Sequence, residues 1–296
     1  MQLLDYNPVC MAAIYTQMKY ISKDNTIDKH TVKHMVFDSI RRLNKLHTKK
    51  YGKMVICFDS SSNWRKKEFE LYKANRKQKR DEQSDEINWD LFWEALNETK
   101  QAVIDNLPYL TVEVVGTEAD DVIATIAKYL HETNPMTKTL VLSTDGDFKQ
   151  LQKYHTVEQY TPVQDKFIKT SDPRVEMLTK IVKGDKKDGV PNIKSDDRSI
   201  IDKIRQKSIS AKFLKTLIES DEAELPELLS SVELEKFHRN KKLIDLSLSP
   251  GELQMEIIKT FEKNEIKGSF LKLMKFLSEN ELDLLSSKIE DFKSLK

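Results

Sequence analysis

Acidic residues recur in this chain where short apolar runs end. Asp5 closes LLD, Asp59 follows MVICF, and Asp145 and Asp147 follow LVLST. Glu118, Asp120 and Asp121 cluster after VEVVGT, and Asp185 and Asp188 lie in GDKKDG. Singly, each has an ordinary explanation as a turn or cap residue, and Glu118 and Asp120 can complement a helix dipole. Jointly, the nine acids would carry −9. Like charges in one crevice repel, so some stay protonated unless cations neutralise them. Oxygen donors with few histidines suit two Mg²⁺ ions, with Mn²⁺ as a substitute. Mg²⁺ keeps several waters, so many of these acids are expected to act through water. Two such ions, roughly 4 Å apart, would activate a water and stabilise the leaving oxygen of a phosphodiester.

The basic residues are also segregated. Trp64–Arg80, WRKKEFELYKANRKQKR, holds eight Lys/Arg against two Glu. A charge run is commonly just a solvated helix face. Here Lys66, Lys73, Lys77 and Arg80 recur at spacings of seven, four and three, which suits one helical stripe. Trp64, Phe69 and Tyr72 interleave with them, to stack on nucleobases or to pack; packing is the expectation for Phe69. A second basic region, Lys194–Lys215, has seven Lys/Arg and three Asp. It follows the turn carrying Lys186 and Lys187. Backbone amides entering a helix are phosphate donors, and basic helices on phosphates bind without reading sequence.

Strand and helix patterns position these groups. Strands are expected at Leu3–Tyr6, Met54–Asp59, Val112–Val115, Leu140–Thr144 and Val157–Tyr160. Helical periodicity marks Thr31–His47 and Asn88–Leu107, and a capping box of Thr117 and Asp120 opens a further helix. Alternating strands and helices imply a mostly parallel sheet flanked by helices, whose strand ends form the ligand crevice. Beyond residue 170 the pattern is helical: Arg174–Lys183, Asp197–Lys207, Ala211–Ser220, Val232–Leu246 and a C-terminal third expected to support the fold. The polar stretch Lys77–Asn88 suits a loop or fraying helix end.

The ordered set of Asp5, Asp59, WRKKEFELYKANR, TEADDVIA, STDGDF and GDKKDGV resembles the 5′-nuclease or flap-endonuclease family, and most closely its phage members with ribonuclease H activity. EADD and STDGDF followed by GDKKD carry most of that likeness. The resemblance implies an α/β PIN-like catalytic domain over residues 1–170, with a basic arch or bridge at about 60–88. It implies a helical region over 171–296, with a helix-hairpin-helix-like duplex-binding motif at about 181–220. The implied activity is Mg²⁺-dependent 5′→3′ removal of RNA primers and short DNA flaps during DNA replication. Asp5, Asp59, Glu118, Asp120 and Asp145 resemble ligands of a first metal site. Asp147, Asp185 and Asp188 resemble those of a second, more hydrated site, with Asp121 in support. Lys73 and Arg76 resemble the basic residues at the scissile phosphate, with Asp120 and Asp145 the other catalytic positions. Arg65, Lys66, Tyr72, Lys77, Lys186, Lys187 and Lys194 complete the expected nucleic-acid contacts. Implied partners are duplex DNA with a 5′ flap, nick or RNA primer, a single-strand-binding protein and a sliding clamp. With Asp5 so near the first residue, a clamp contact is expected elsewhere than in an upstream tail. The turn GVPNIKSDD is poorer in glycine than the family's hairpin, so a modified motif is expected.

Composition narrows the alternatives. Among 296 residues, 49 Lys+Arg against 48 Asp+Glu leave a net +1, which excludes a uniformly basic coat protein. Seven glycines and eight prolines favour a helix-rich chain. No apolar run approaches the roughly 18–20 residues of a membrane span, and no signal peptide is evident. A monomer in the cytoplasm is expected, with Cys10 and Cys57 reduced and buried. His30 and His34 share a helix spacing but complete no zinc pattern. P-loop and GxGxxG motifs are absent. A phosphatase with an aspartyl nucleophile would need its DxD at the first strand, whereas DGD comes late. A non-catalytic DNA-structure-binding protein would not need all nine acids. The segregated charge predicts salt-sensitive binding despite the neutral total.

Overall fold

The computed structural model describes residues 1–20, 27–82 and 87–294. Six strands form one sheet: β1 (Gln2–Asp5), β2 (Met54–Cys57), β3 (Leu110–Val112), β4 (Thr139–Leu142), β5 (Val157–Thr161) and β6 (Lys166–Ile168). Their order is β3-β2-β1-β4-β5-β6. The first five run parallel, and β6 lies antiparallel on β5. Every residue of β1, β2 and β4 is buried, as a parallel sheet covered on both faces requires. The mostly parallel sheet flanked by helices is therefore as expected.

The strand period of two sorts side chains between two cores. Leu4, Ile56, Leu140 and Leu142 enter the core beneath α1 (Tyr6–Tyr20), α2 (Lys29–Tyr51) and a later helix. Leu3, Val55, Cys57 and Val141 enter the opposite core. The basic segment forms α3 (Arg65–Glu68) and α4 (Ala74–Glu82), and α5 (Trp89–Asn106) joins the first core. α6 (Ala119–Thr133) covers the second face.

Beyond the sheet run α7 (Pro173–Lys183), α8 (Ala211–Glu219), α9 (Leu225–Leu228), α10 (Ser231–Ile244), α11 (Gly251–Lys263), α12 (Phe270–Glu279) and α13 (Asp283–Ser286). Phe69 and Tyr72 meet Ile181, Val182, Leu217, Phe237 and Leu243 in a third core. Phe69 thus packs, as expected. Ile257 of α11 enters the second core, while Leu273, Leu277, Leu285 and Phe292 enter the first. The C-terminal helices therefore brace both faces of the sheet. Cys10 and Cys57 are buried free thiols.

Four local expectations change. The third strand sits earlier than Val112–Val115, because the chain turns at Val114–Thr117, where Thr117 N–H donates to the Val114 carbonyl at 3.1 Å. The helix cap is Glu118 with Asp121, not Thr117 with Asp120; Asp121 Oδ2 accepts the Glu118 N–H at 3.0 Å. Asp197–Lys207 is not a helix: 197–203 is a run of turns and 204–207 has no regular structure. Asp196 Oδ1 accepts Arg198 N–H at 2.9 Å, and Ser195 Oγ accepts Lys207 N–H at 2.9 Å. Such side chains compete with the helical ladder. Finally, the helix expected to carry Lys66, Lys73, Lys77 and Arg80 on one stripe is broken between α3 and α4. Lys77–Glu82 belongs to α4, 87–88 have no regular structure, and the intervening residues of the expected polar loop lie outside the described set.

Candidate metal centre and nucleic-acid interface

The strand order reverses at β1, and a parallel sheet places its ligand crevice at such a point, beyond the carboxyl ends. Asp5 ends β1, Asp59 lies two residues past β2, and Asp145 lies three past β4. Glu118 caps α6 and Asp120 lies in its first turn. Asp5 is buried and accepts a hydrogen bond from Ser143 Oγ at 2.8 Å. Burial, and then the charge of Asp59, push its carboxyl up to about 7. Asp59 is raised by burial and oriented by Ala119 N–H at 2.7 Å and Asn7 Nδ2 at 2.5 Å. Asp120 is raised well above the usual carboxylate range by burial and then by Asp5. These are acids held together against their own repulsion.

A second group lies alongside. Asp147, Asp185 and Asp188 each bring one carboxylate oxygen within 4.8 Å of the others, the one such group among the described residues. A small cavity is walled by these three, Asp120 and Tyr72. Tight backbone geometry presents Asp185 and Asp188. Asp185 and Val190 exchange N–H···O bonds of 2.8 Å, and Gly184 has φ 71°. A Cβ at Gly184 would stand 2.3 Å from the Val190 carbonyl oxygen, so only glycine fits.

Lysines and arginines neutralise this edge from within the chain. Lys73 adopts a left-handed φ of 59°, and its N–H donates to the Asp188 carbonyl at 2.7 Å. Its ammonium pairs with Glu118 and lies 3.7 Å from Asp188. Arg76 reaches Asp188 at 2.6 Å, and Lys187 reaches Asp145 at 2.5 Å. Burial opposes ionisation of Glu118, Asp145 and Asp188, but these cations outweigh it and hold all three carboxyls below their usual range. Lys180, not singled out from sequence, pairs with Asp147 and with Asp185 at 2.6 Å. Its ammonium is stabilised beyond the ordinary lysine range because those carboxylates overcome its burial. The available signal was its place one helical turn before GDKKDG.

Other expected contacts are placed differently. Arg65 is not at the surface: it is 1% exposed beneath the acids. Its Nη1 and Nη2 donate to the two Asp121 oxygens at 2.9 and 2.8 Å, and Nε donates to the Leu243 carbonyl at 2.9 Å. A direct phosphate contact by Arg65 is thereby corrected, because its donors are consumed inside. Asp121, fully buried, faces Arg65 and Trp64. Tyr72 is buried too, donating to Glu118 at 3.0 Å, so neither it nor Trp64 offers a free stacking face. Lys66, Lys77, Lys186 and Lys187 are exposed. Lys194 is half-buried with its ammonium 3.7 Å over the Phe213 ring.

All-carboxylate donors beside exposed cations can hold hard divalent ions and bind phosphates. No described helix is long and apolar enough to cross a membrane. Comparison with known proteins agrees with the arrangement. The family model described as "5′-3′ exonuclease, N-terminal resolvase-like domain" matches residues 1–182, and "T4 RNase H, C terminal" matches 171–292. The chain is 29% identical to ribonuclease H of Enterobacteria phage T4 over 302 aligned positions, covering 98% of this chain and 95% of that protein. The bacteriophage T5 flap endonuclease, solved with DNA and metal ions, is 17% identical with a TM-score of 0.61, covering 88% and 97% of the two chains. The same phage protein co-crystallised with metal ions is 16% identical with a TM-score of 0.56, covering 98% of each chain. The fold, the clustered acids and these matches lead to one assignment: the chain is a hydrolase belonging to the 5′–3′ exonuclease family.

Proposed function

We propose that this protein is a two-metal 5′→3′ nuclease that removes RNA primers and short DNA flaps from the 5′ ends of duplexes during DNA replication. The observation that carries this reading is the convergence of Asp147, Asp185 and Asp188 beside a buried acidic edge, with a basic segment fastened across it. The donor set is entirely carboxylate, which fits Mg²⁺, with Mn²⁺ able to substitute. Asp5, Asp59, Glu118, Asp120 and Asp145 would hold one ion, and Asp147, Asp185 and Asp188 a second. Bound ions would supply an activated water and neutralise charge on the leaving oxygen.

The chain's own cations then have a defined task. Lys73 and Arg76 are tied to Glu118 and Asp188, and release from those carboxylates would free both to grip the scissile phosphate. Lys180 and Lys187 balance Asp147, Asp185 and Asp145 in the same manner. Lys66, Lys77, Lys186 and Lys194 hold the duplex backbone without reading bases. Residues 1–170 act as the catalytic part, with the bridge at 60–88, and 171–296 as the helical part, with duplex contacts at 181–220. The working protein is a cytoplasmic monomer that meets flapped, nicked or RNA-primed duplexes, a single-strand-binding protein and a sliding clamp.

The test is cleavage of 5′-labelled flap, nick and RNA-primed duplexes with Mg²⁺ or with EDTA. Short 5′ products that require Mg²⁺ support the reading, and equal cleavage in EDTA refutes it.

A further inference from the structure

Large aromatic rings ordinarily bury their faces, and one group here does so only in part. Phe92 of α5 is fully buried, with Tyr15 of α1 at 5.2 Å, Trp89 at 5.2 Å and Trp93 at 5.4 Å between ring centroids. Trp89 and Trp93 lie 6.3 Å apart with planes inclined by 29°. Yet Tyr15 and Trp93 are each 39% exposed. Arg80 of α4 sits beside Trp93 and within electrostatic reach of Tyr15. Its guanidinium carbon is 5.8 Å from the Trp93 ring centre, and its charge opposes the upward push of burial on the Tyr15 phenol. The Arg80 carbonyl accepts the Trp89 indole N–H at 3.0 Å.

Helix α4 therefore links two places. Its near end, through Arg76 and the adjoining Lys73, is fastened to Asp188, and its far end to the aromatic group. Between them it carries exposed Lys77 and Lys79. Glu94, next to Trp93 in the chain, is paired with Lys29 at 2.7 Å, and Glu82, two residues past Arg80, with Lys203 at 2.6 Å. Packing accounts for Phe92 and Trp89. It does not account for two half-open rings with a guanidinium at their edge, at the end of a basic rail.

We propose that Tyr15, Trp93 and Arg80 form a stacking platform for unpaired bases of a single-stranded 5′ arm that leaves the acidic edge along α4. This rests on the nuclease reading and adds where the arm goes. Stacking on aromatic faces tolerates any base, and a nearby arginine adds cation–π attraction and a phosphate contact. The reach is consistent. Seven residues separate Lys73 from Arg80, about 10 Å at roughly 1.5 Å per helical residue. At about 3.4 Å per stacked nucleotide, that is about three nucleotides from the reacting phosphate.

The test measures binding in EDTA, without turnover, of one fluorescent duplex bearing either a six-nucleotide 5′ arm or none. Trp93→Leu is expected to weaken binding of the armed duplex about tenfold, the scale of one lost base stack. The armless duplex should be affected less than twofold, and Trp93→Phe should restore most of the preference. Abasic sites at the third and fourth arm positions should reproduce the loss in the unsubstituted protein and add nothing in Trp93→Leu. Tyr15→Ala should move the arm preference in the same direction, which guards against a fold defect peculiar to Trp93. An unchanged arm preference in both variants, or equal loss on both duplexes, overturns the platform. Failure of the unsubstituted protein to bind or, with Mg²⁺, cleave any duplex would instead sink the nuclease reading beneath it.

Discussion

Arg65→Met is the most direct probe of how the acidic edge is supported. The substitution keeps an unbranched apolar stem but deletes a guanidinium that makes two bonds to Asp121, one to the Leu243 carbonyl and one to Glu118 at 3.3 Å. Asp121 would remain fully buried, with Trp64 Nε1 at 3.2 Å and the Glu118 N–H at 3.0 Å as its remaining donors among the described residues. Breaking a buried pair by removing one partner costs about 3–5 kcal/mol, and an orphaned Leu243 carbonyl adds about 1 kcal/mol. With a urea m-value of about 3 kcal/mol/M, the midpoint should fall by roughly 1–2 M. Urea titrations followed by far-ultraviolet circular dichroism and tryptophan fluorescence measure this. The double variant Arg65→Met with Asp121→Leu removes both charges, so its loss should be smaller than the sum of the singles by about 2 kcal/mol or more. A single-variant loss below about 1 kcal/mol, or strict additivity in the cycle, would refute the claim that this pair is a mutually dependent brace.

Further outcomes follow from the site. Asp5, pushed up to about 7 from the ordinary 3.8, carries a proton in the folded but not the unfolded chain between those values. Stability in EDTA should therefore fall as pH rises across that window, and Mn²⁺, by favouring the ionised acids, should flatten the slope in thermal melts; parallel slopes would contradict it. Asp120→Asn should abolish Mg²⁺-dependent cleavage while retaining DNA affinity, measured by single-turnover rates beside binding curves. Lys73→Ala should lower the single-turnover rate by more than tenfold and affinity much less; the reverse pattern would place it in substrate holding alone. Gly184→Ala must push a methyl group against the Val190 carbonyl and should cost about 2 kcal/mol or more, detected as a lowered melting temperature.

The sheet was legible because its strands are dense apolar runs, and parallel strands buried on both faces cannot hide that signal. Most of the acids were legible because they follow such runs, and Asp185 and Asp188 because glycines bracket them in GDKKDG. What escaped depends on contacts across the fold. Arg65 reads like its basic neighbours, and only the approach of Asp121 and the Leu243 carbonyl takes it inside. Lys180 looks like a solvent-facing helix residue until α7 lies against Asp147 and Asp185. β6 has three residues and follows Asp165, whose φ of 50° turns the chain back; nothing in KFI distinguishes it from a loop. The stretch 197–207 has helical composition, but side-chain bonds to its own backbone prevail.

The position of β1 also bears on how the polypeptide is made. Its two neighbours, β2 and β4, begin at Met54 and Thr139, and β4 in turn needs β5 through Thr161. During synthesis the central strand can meet β2 once Cys57 has emerged, but its other hydrogen-bonding edge must wait, open, until Leu142 has emerged. Pairings this distant in sequence form slowly, because loop closure must come before any contact rewards it. The interval exposes LLD and its apolar neighbours to chance strand addition. Ribosome-bound chains truncated before Thr139 should thus leave β1 open to proteolysis along one edge, with its protection appearing once β4 has emerged.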